Sequence, residues 1–265
     1  MDQAALDTEA RSFWDDGYVV VRGAFDPAEM DVVREVIRRH DRMTQHAEMA
    51  RRLGEGDSRP SFSTLFVWND TAGFDVFSKA TRSFKVKDRL ESYFRDQVYV
   101  YHNKVVLKYP GMVGFNHHQD YAYWYRMGNL FPDMASVFIA VDPATRENGC
   151  LKVIRGSHRL GRLDHVDYEN PDSGVDPERL SEVTKFMPED ALEIDPGDMI
   201  LFHCNTLHAS DDNRSPDSRI ALIGCYNTRH NSPRGVVNGH PRFQTQQSIR
   251  EPITLADAQN LPQFE

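Results

Sequence analysis

Hydrophobic and polar positions along the chain predict a helical front part followed by a part rich in short strands. The run 18–23 reads as a short strand around three consecutive valines. An aspartate cap, a first-turn proline and a capping-box glutamate come next, and they predict a helix from Pro27 to about Met43. A second helical stretch is expected around Thr81–Phe94.

From Gln97 onward the pattern changes from the helical period to a period of two residues. An uninterrupted strand over 98–111 would place on one face Tyr99, Tyr101, Asn103, Val105 and Leu107. The other face would then carry His102, Lys104, Val106 and Lys108. The run therefore predicts a strand that points several polar groups the same way.

Further strands are expected downstream, separated by turns rich in Asp, Pro and Gly: 134–142, 150–156, 199–204, 207–210 and 219–227. Many short strands with few intervening helices indicate an antiparallel sandwich or jelly roll, with the early helices packed outside. The fold class is therefore mainly β with flanking helices (α+β). A barrel of this kind can hold a metal between its sheets.

A chain of 265 residues with 40% hydrophobic residues can bury one sizeable core. Barrels and sandwiches often run to such lengths without division, so we expect a single domain over residues 1–265. Its parts are a helical N-terminal region at about 1–95, a β core at about 97–230 and a C-terminal extension at 231–265.

Charge and cysteine usage exclude several classes of protein. The net charge of −9, with basic and acidic groups mixed, argues against a nucleic-acid surface. Cys150, Cys204 and Cys225 form neither an even set nor a C-x-x-C pair, which favours a reducing compartment. The first residues show no apolar signal core, and no long uncharged apolar run follows. We expect a cytoplasmic protein without membrane or nucleic-acid partners.

Three residues in strand-like sequence have the chemistry of metal ligands. Residues two apart on an extended strand point to one face, so His118 and Asp120 can reach one ion while Gln119 turns away. A second imidazole from His208 would complete a set of two histidines and one carboxylate. This set occupies one face of an octahedral Fe(II) and leaves positions open for a co-substrate and O2. The sequence therefore predicts an oxygenase.

The region after His208 predicts a partner for a dicarboxylic acid. If 207–210 pairs with the strand starting at Arg219, Ser210 lies opposite Arg219 and His208 lies opposite Ala221. A guanidinium there matches the far carboxylate of such an acid by bidentate hydrogen bonding, and Ser210 adds a donor. A 2-oxo acid would then chelate the iron at its other end.

Two neighbouring histidines offer an alternative metal site. His117 points opposite to His118 on a strand, and His203 belongs to the end of the preceding strand, where a structural hydrogen bond is expected. A zinc site that uses them is disfavoured, because structural zinc sites prefer closed, cysteine-rich sets. The Gly156–His158 turn is interpreted as structural, and Arg219 as a surface ion-pair partner stays an open alternative.

These features occur together with further motifs. N-G-x-L-x-V-x-x-G-S-H runs from Asn148 to His158, and G-D precedes the H-x-S of His208, with an arginine eleven residues after that histidine. The opening FWDDGYVVVRGAF adds a helix and a strand. Over roughly residues 12–230 the chain resembles the phytanoyl-CoA dioxygenase family of Fe(II)/2-oxoglutarate oxygenases, which includes ectoine hydroxylase.

The resemblance implies a double-stranded β-helix fold and a set of residue roles. His118, Asp120 and His208 would ligate the metal, and Arg219 and Ser210 would grip 2-oxoglutarate. It also implies co-substrate pocket residues at Trp124, Lys104 and His102. Related halogenases carry a small residue in place of the carboxylate, so Asp120 favours hydroxylation, with O2 as second co-substrate and succinate and CO2 as products.

Substrate residues are expected in two segments, after the metal pair and after the last strand. They are Asn116, Tyr123, Arg126, Asn227 and Arg229. Aromatic and charged groups of this kind suit a small polar metabolite, such as an amino acid or a natural-product intermediate. An acyl-CoA or carrier-bound substrate is the enzymatic alternative. A non-catalytic module that binds 2-oxoglutarate is the alternative from another class.

Overall fold

The computed structural model describes residues 2–41, 43, 45, 64–68, 75–167, 173–233 and 242–259. Its helices are α1 (Gln3–Asp16), α2 (Pro27–Arg39), α3 (Val76–Thr81), α4 (Phe84–Phe94), α5 (Asp120–Arg126) and α6 (Pro177–Phe186). The first strands are β1 (Tyr18–Val21), β2 (Thr64–Trp68), β3 (Val98–Lys108), β4 (Phe115–His118), β5 (Met134–Ala140) and β6 (Leu151–Ile154). The others are β7 (His165–Asp167), β8 (Ser173–Val175), β9 (Glu189–Leu192), β10 (Met199–His203), β11 (His208–Ser210) and β12 (Arg219–Thr228).

Two antiparallel sheets face each other and form the expected double-stranded β-helix. The larger sheet has the order β1-β10-β5-β12-β3-β2, and the smaller has the order β4-β11-β6-β9. β7 and β8 form a separate two-stranded ribbon. The mainly β class with flanking helices is thereby confirmed. Within the described residues, no helix has both the length and the apolar character needed to cross a membrane.

The larger sheet is buried on both faces, and each face has its own core. The outer face packs against the helices, where Val33 of α2 and Leu90 of α4 meet Val137 of β5. On the inner face, Phe138 of β5 packs with Val153 of β6 across the space between the sheets. Alternation along β5 sends neighbouring side chains to these two cores. The second core leaves a pocket between the sheets.

The pairing expected between 207–210 and the strand starting at Arg219 is wrong. β11 pairs with β4 and β6, with His208 opposite His118 and Val153, whereas β12 pairs with β3 and β5. The residues between β11 and β12 cross from one sheet to the other, as jelly-roll connections do. Ser210 and Arg219 therefore approach each other across the sandwich and not along a hairpin.

The uninterrupted alternation expected over 98–111 is also wrong. Cys225 pairs with His102 while the next residue pairs with Val100, which leaves Tyr101 as the extra residue of a β-bulge. Val105 and Leu107 pack toward the helices, but Tyr99 and Tyr101 belong to a different cluster. Beyond the bulge, Lys104 keeps its side chain in the pocket between the sheets.

Three helical features differ from the sequence prediction. α2 ends at Arg39, before the expected Met43, because His40 takes extended backbone angles. The helix expected around Thr81–Phe94 begins at Phe84, because α3 ends at Thr81 and the Ser83 side chain caps a new helix. α5 was missed: the aromatic run after Asp120 has no capping signal, as Gln119 makes no side-chain cap.

Candidate metal and co-substrate site

Three elements bring His118, Asp120 and His208 together. His118 is the last residue of β4, Asp120 is the first residue of α5, and His208 is the first residue of β11. The pairing of β11 with β4 sets the two imidazoles side by side, with ring centroids 4.1 Å apart. One ligand atom from each of the three residues lies within 4.8 Å of the others. Among the described residues, this is the group of ligand-type side chains with metal-site geometry.

Each imidazole is aimed by a carbonyl two residues earlier in its own chain segment. Nδ1 of His118 donates to the oxygen of Asn116 at 2.7 Å, and Nδ1 of His208 donates to the oxygen of Thr206 at 2.9 Å. These bonds fix the tautomer and leave Nε2 of each ring as the acceptor atom for a metal. Two nitrogens and one carboxylate oxygen fit Fe(II), with further coordination positions open.

Hydrogen bonds of neighbouring side chains fix the position of Asp120. The Gln119 side chain turns away, donating to the oxygens of Gly161 at 2.8 Å and Asn205 at 2.7 Å, which locks the backbone between the first two ligands. The Ser136 hydroxyl donates to Oδ2 of Asp120. Asp120 therefore reaches the site from the first turn of a helix and not from the strand that the sequence predicted.

The protonation states suit metal ligation. Burial alone would raise the pKa of Asp120, but Lys104, the two imidazoles and the Ser136 hydrogen bond hold it well below its usual range. Burial, followed by the charge of His118, lowers the pKa of His208 to about 3. The site therefore offers a carboxylate and an imidazole that is neutral at physiological pH.

The three ligand-type residues line a pocket between the sheets whose wall is otherwise largely apolar. That wall includes Phe115, Phe138, Leu151 and Phe202. Ser210 and Arg219 line the same pocket, as the sequence expected although by a different route. An apolar wall lowers the local dielectric constant and strengthens each charge–charge contact inside.

Arg219 is built into the floor of the pocket. Its side chain is 2% exposed, and Nη1 donates to the oxygen of Gly149 at 2.6 Å, while the guanidinium lies 5.5 Å from the Phe138 ring centroid. Nε has no hydrogen-bond partner among the described residues. Burial lowers the pKa of Arg219 to about 10, which still leaves it charged at neutral pH. The alternative of a surface ion-pair partner is wrong, because the side chain is buried.

Lys108 is a second basic side chain at this end, and no role was predicted for it from the sequence. Its Nζ donates to Oγ of Ser210 at 2.8 Å and to the oxygen of Asp211 at 2.6 Å. Burial, followed by the charge of Arg219, lowers the pKa of Lys108 to about 6. Because Ser210 accepts from Lys108, its own hydrogen is available for an oxygen in the pocket. The sequence signal that could have indicated this role is the strand face that Lys108 shares with Lys104 on β3.

Gly149 allows these groups to pack closely. It takes a φ of +76°, and a Cβ there would lie 2.1 Å from the oxygen of Asp211 and 2.9 Å from Nζ of Lys108. A side chain at this position would therefore displace the lysine, and the left-handed backbone also favours glycine.

The other expected co-substrate residues lie in different places. Lys104 lines the pocket. Trp124 and His102 are buried and pack on each other at 5.9 Å between ring centroids, but neither lines the pocket. They pack behind the residues that line the pocket, because the bulge in β3 turns the first residues of that strand toward α5.

The expected substrate residues are mostly outside the pocket. Asn227 is fully buried, and its amide donates to Tyr99, Asn129 and Asn231, which uses it in a structural network. Arg229 is exposed after β12 and bonds Gln97.

The remaining three expected substrate residues differ in how close they lie to the metal ligands. Arg126 is exposed at the end of α5. Tyr123 packs its ring 6.2 Å from that of His118 and bonds Ser173 through its hydroxyl. Asn116 contributes the carbonyl that orients His118. Tyr123 and Asn116 are thus neighbours of the site, whereas Arg126 is not among the residues that line the pocket.

The two other histidines are structural, as predicted. His117 points away and pairs with Glu189. His203 accepts from the backbone N–H of Asn205 at 3.1 Å and packs near His158. Ser157, in the Gly156–His158 turn, accepts from the N–H of Leu207 at 2.8 Å. None of them joins the three ligand-type residues.

Fold and site together define the class: a double-stranded β-helix protein with two histidines and one carboxylate converging between its sheets. The model of the phytanoyl-CoA dioxygenase (PhyH) family matches residues 13–221. The chain belongs to this family, which confirms the resemblance found in the sequence.

Curated relatives are similar over parts of the chain. A 2-aminoethylphosphonate dioxygenase from uncultured bacterium HF130_AEPn_1 is 32% identical over 50% of this chain and 47% of its own. The ectoine dioxygenase of Halomonas elongata is 31% identical over 63% of this chain and 55% of its own. The chain thus spans about half the length of these relatives.

Solved structures share the fold over nearly the whole chain. EctD from S. alaskensis with bound Fe has a TM-score of 0.72 at 20% identity, covering 96% of this chain and 89% of that one. The epimerase SnoN from nogalamycin biosynthesis has a TM-score of 0.65 at 19% identity, covering 96% and 97%. At these identities the likeness concerns the fold.

Proposed function

We propose that the protein is an Fe(II)- and 2-oxoglutarate-dependent dioxygenase that hydroxylates a small polar metabolite and releases succinate and CO2. The observation that carries this proposal is the single pocket that His118, Asp120 and His208 share with Ser210 and Arg219. The two imidazole Nε2 atoms and the Asp120 carboxylate would hold the metal. Bound Fe(II) supplies the activation of O2, with 2-oxoglutarate as the source of two electrons.

The chain's own groups bind and orient the oxo acid. Arg219 presents a fork of N–H donors with a buried, unpaired Nε, which fits a carboxylate oxygen. Ser210 adds a hydroxyl donor, since Lys108 already supplies its acceptor contact. The 5-carboxylate of 2-oxoglutarate would lie at this end, and its oxo end would point to the three ligand-type residues. The aromatic wall keeps bulk water away from the reacting end.

Relatives support a small polar substrate. One acts, by name, on 2-aminoethylphosphonate, and others on ectoine and on L-proline. A compact pocket lined by Lys104 and aromatic side chains is compatible with molecules of that kind. Hydroxylation is the proposed outcome because Asp120 occupies the carboxylate position of the metal site.

The test is an anaerobic absorbance titration of the purified protein with Fe(II) and then 2-oxoglutarate. A weak visible charge-transfer band that saturates with the oxo acid is expected. A panel of amino acids, phosphonates and cyclic amino-acid derivatives is then added with O2, and succinate is measured. A folded protein that binds Fe(II) but gives no band would contradict the proposal.

Two alternatives are separated by the same experiment. A relative named phytanoyl-CoA dioxygenase 1 keeps an acyl-CoA or carrier-bound substrate as second candidate, and such a thioester would then stimulate succinate formation. A non-catalytic 2-oxoglutarate-binding module would give the band but no substrate-triggered succinate. The complete ligand set and the built-in arginine disfavour this second alternative.

A further inference from the structure

A groove on the surface beside the β7–β8 ribbon is lined by exposed apolar side chains. One wall is the segment 160–166, and the other is α6 with the residue that follows it. Leu160, Val166 and Phe186 are three of the eight large apolar side chains that are exposed among the described residues, and Phe186 is 83% exposed. Single exposed apolar residues are ordinary, whereas a cluster of them marks a surface that another molecule covers.

Helix α6 has one face in the protein and another in solvent. Leu180 and Val183 pack into the small core beneath the helix. Arg179, Glu182 and Phe186 are exposed, and spacings of three and four residues place them on one face. α6 therefore presents one aromatic ring and two opposite charges to the molecule that covers the groove.

The two charges on this outer face suit an antiparallel copy of the same helix. When a helix meets its own copy about a two-fold axis, residue i faces residue j, and j faces i. An axis midway between Arg179 and Glu182 sets each arginine against the glutamate of the second copy, so the contact forms twice. A parallel pair in register would instead set like charges against each other, which is unfavourable.

The same register brings Phe186 to an apolar place. Phe186 is as far from the midpoint along the chain as Val175, the last residue of β8. Phe186 of one copy therefore reaches the start of α6 in the second copy. Val166, which pairs with Gly174 in the ribbon, is exposed at that end. The antiparallel contact would thus cover the phenyl ring and the valine together.

The charge of this surface favours a second copy over other partners. It carries three acidic and three basic side chains: Asp164, Asp176, Glu182, Arg162, Arg179 and Lys185. The surface is therefore neutral, although the whole chain has a net charge of −9. Two such chains repel each other least where their surfaces are neutral. An anionic membrane or a nucleic acid would need a surplus of basic groups.

We infer that the protein forms a two-fold dimer in which α6 packs antiparallel against α6 of a second copy. This inference goes beyond the proposed function and does not depend on the metal. The contact includes the ribbon that borders the metal ligands. Nε2 of His165 in β7 accepts from the backbone N–H of Gln119 at 3.1 Å, and the Tyr123 hydroxyl donates to the oxygen of Ser173 in β8 at 3.2 Å. The dimer would hold this ribbon beside the pocket.

The test measures the mass of the purified full chain by sedimentation velocity over about 1–200 µM, a range that brackets a micromolar Kd. Wild type should change from monomer to dimer within this range. Phe186→Ser should raise Kd tenfold or more. Leu255→Ser is the control and should leave Kd unchanged, because Leu255 is 77% exposed in a different groove. Thermal unfolding checks that each variant is folded.

Charge reversal tests the antiparallel register. Arg179→Glu and Glu182→Arg each set like charges against each other in both copies of the contact, so each should raise Kd tenfold or more. The double variant restores opposite charges and should recover most of the affinity, while Arg11→Glu on α1 should have no effect.

Three results would overturn the inference. The first is a wild type that stays monomeric over the whole range. The second is a dimer that Phe186→Ser and Arg179→Glu both leave intact, since the interface would then lie elsewhere. The third is a double variant that associates no better than the single ones, because the two charges would then not face each other.

Discussion

Replacing Arg219 with methionine should chiefly weaken the use of 2-oxoglutarate. Methionine fills similar space but removes the only buried guanidinium of the described pocket. A charged hydrogen bond contributes about 1.5–3 kcal/mol, and a bidentate pair has two. A loss of about 3–6 kcal/mol is therefore expected, which is roughly 100- to 20,000-fold at about 1.4 kcal/mol per tenfold.

The assay measures succinate formation against 2-oxoglutarate concentration, together with Fe(II) binding at equilibrium. KM for the oxo acid should rise by that factor while Fe(II) affinity stays unchanged, because Arg219 does not contact the metal ligands. Arg219→Lys keeps the charge but loses the fork, so an intermediate increase of roughly tenfold is expected. Arg229→Met is the matched control, since Arg229 is exposed beyond the end of β12. An unchanged 2-oxoglutarate dependence in folded Arg219→Met would refute the assigned role.

Three further predictions concern the metal ligands and their support. Asp120→Ala should abolish product formation and weaken Fe(II) binding, and undiminished product from the purified variant would contradict the ligand assignment. Ser136→Ala removes the hydroxyl that donates to Asp120 and should weaken Fe(II) about 10- to 100-fold in a chelator competition, whereas an unchanged affinity would make that bond irrelevant to the metal. Binding of 2-oxoglutarate brings negative charge near Lys108 and should raise its pKa from about 6, so protons are taken up between pH 6 and 8. Calorimetry in buffers of different ionisation enthalpy measures that uptake, which should disappear in Lys108→Met, and buffer-independent heats in wild type would contradict it.

The strands and the ligand set could be read from the sequence because each depends on local spacing. Alternation places β5, β10 and β12 almost to the residue, and the H-x-D spacing brings His118 and Asp120 together even though a helix starts between them. Strand partners could not be read in this way. Closeness along the chain predicts that β11 and β12 pair, whereas the chain crosses from one sheet to the other after Ser210.

Roles that depend on three-dimensional packing were also out of reach of the sequence. Asn227 is a polar residue near the end of a strand, and only the fold shows that its amide is used by buried neighbours. The bulge at Tyr101 changes which face of β3 meets α5, and no spacing of residues in the sequence predicts this bulge. Lys108 was visible as a residue on the pocket-facing side, but its closeness to Arg219 required the register of β12 against β3.

The carbonyl bonds to both imidazoles have a consequence for how the site is assembled. His118 and His208 are each fixed by an oxygen two residues back, so their rotamers are set when β4 and β11 pair. The conformational entropy of the two side chains is then lost during folding and not when the metal binds. An arriving ion meets prearranged donors and has to shed water rather than order the protein. Metal uptake by such a scaffold is limited by access and dehydration.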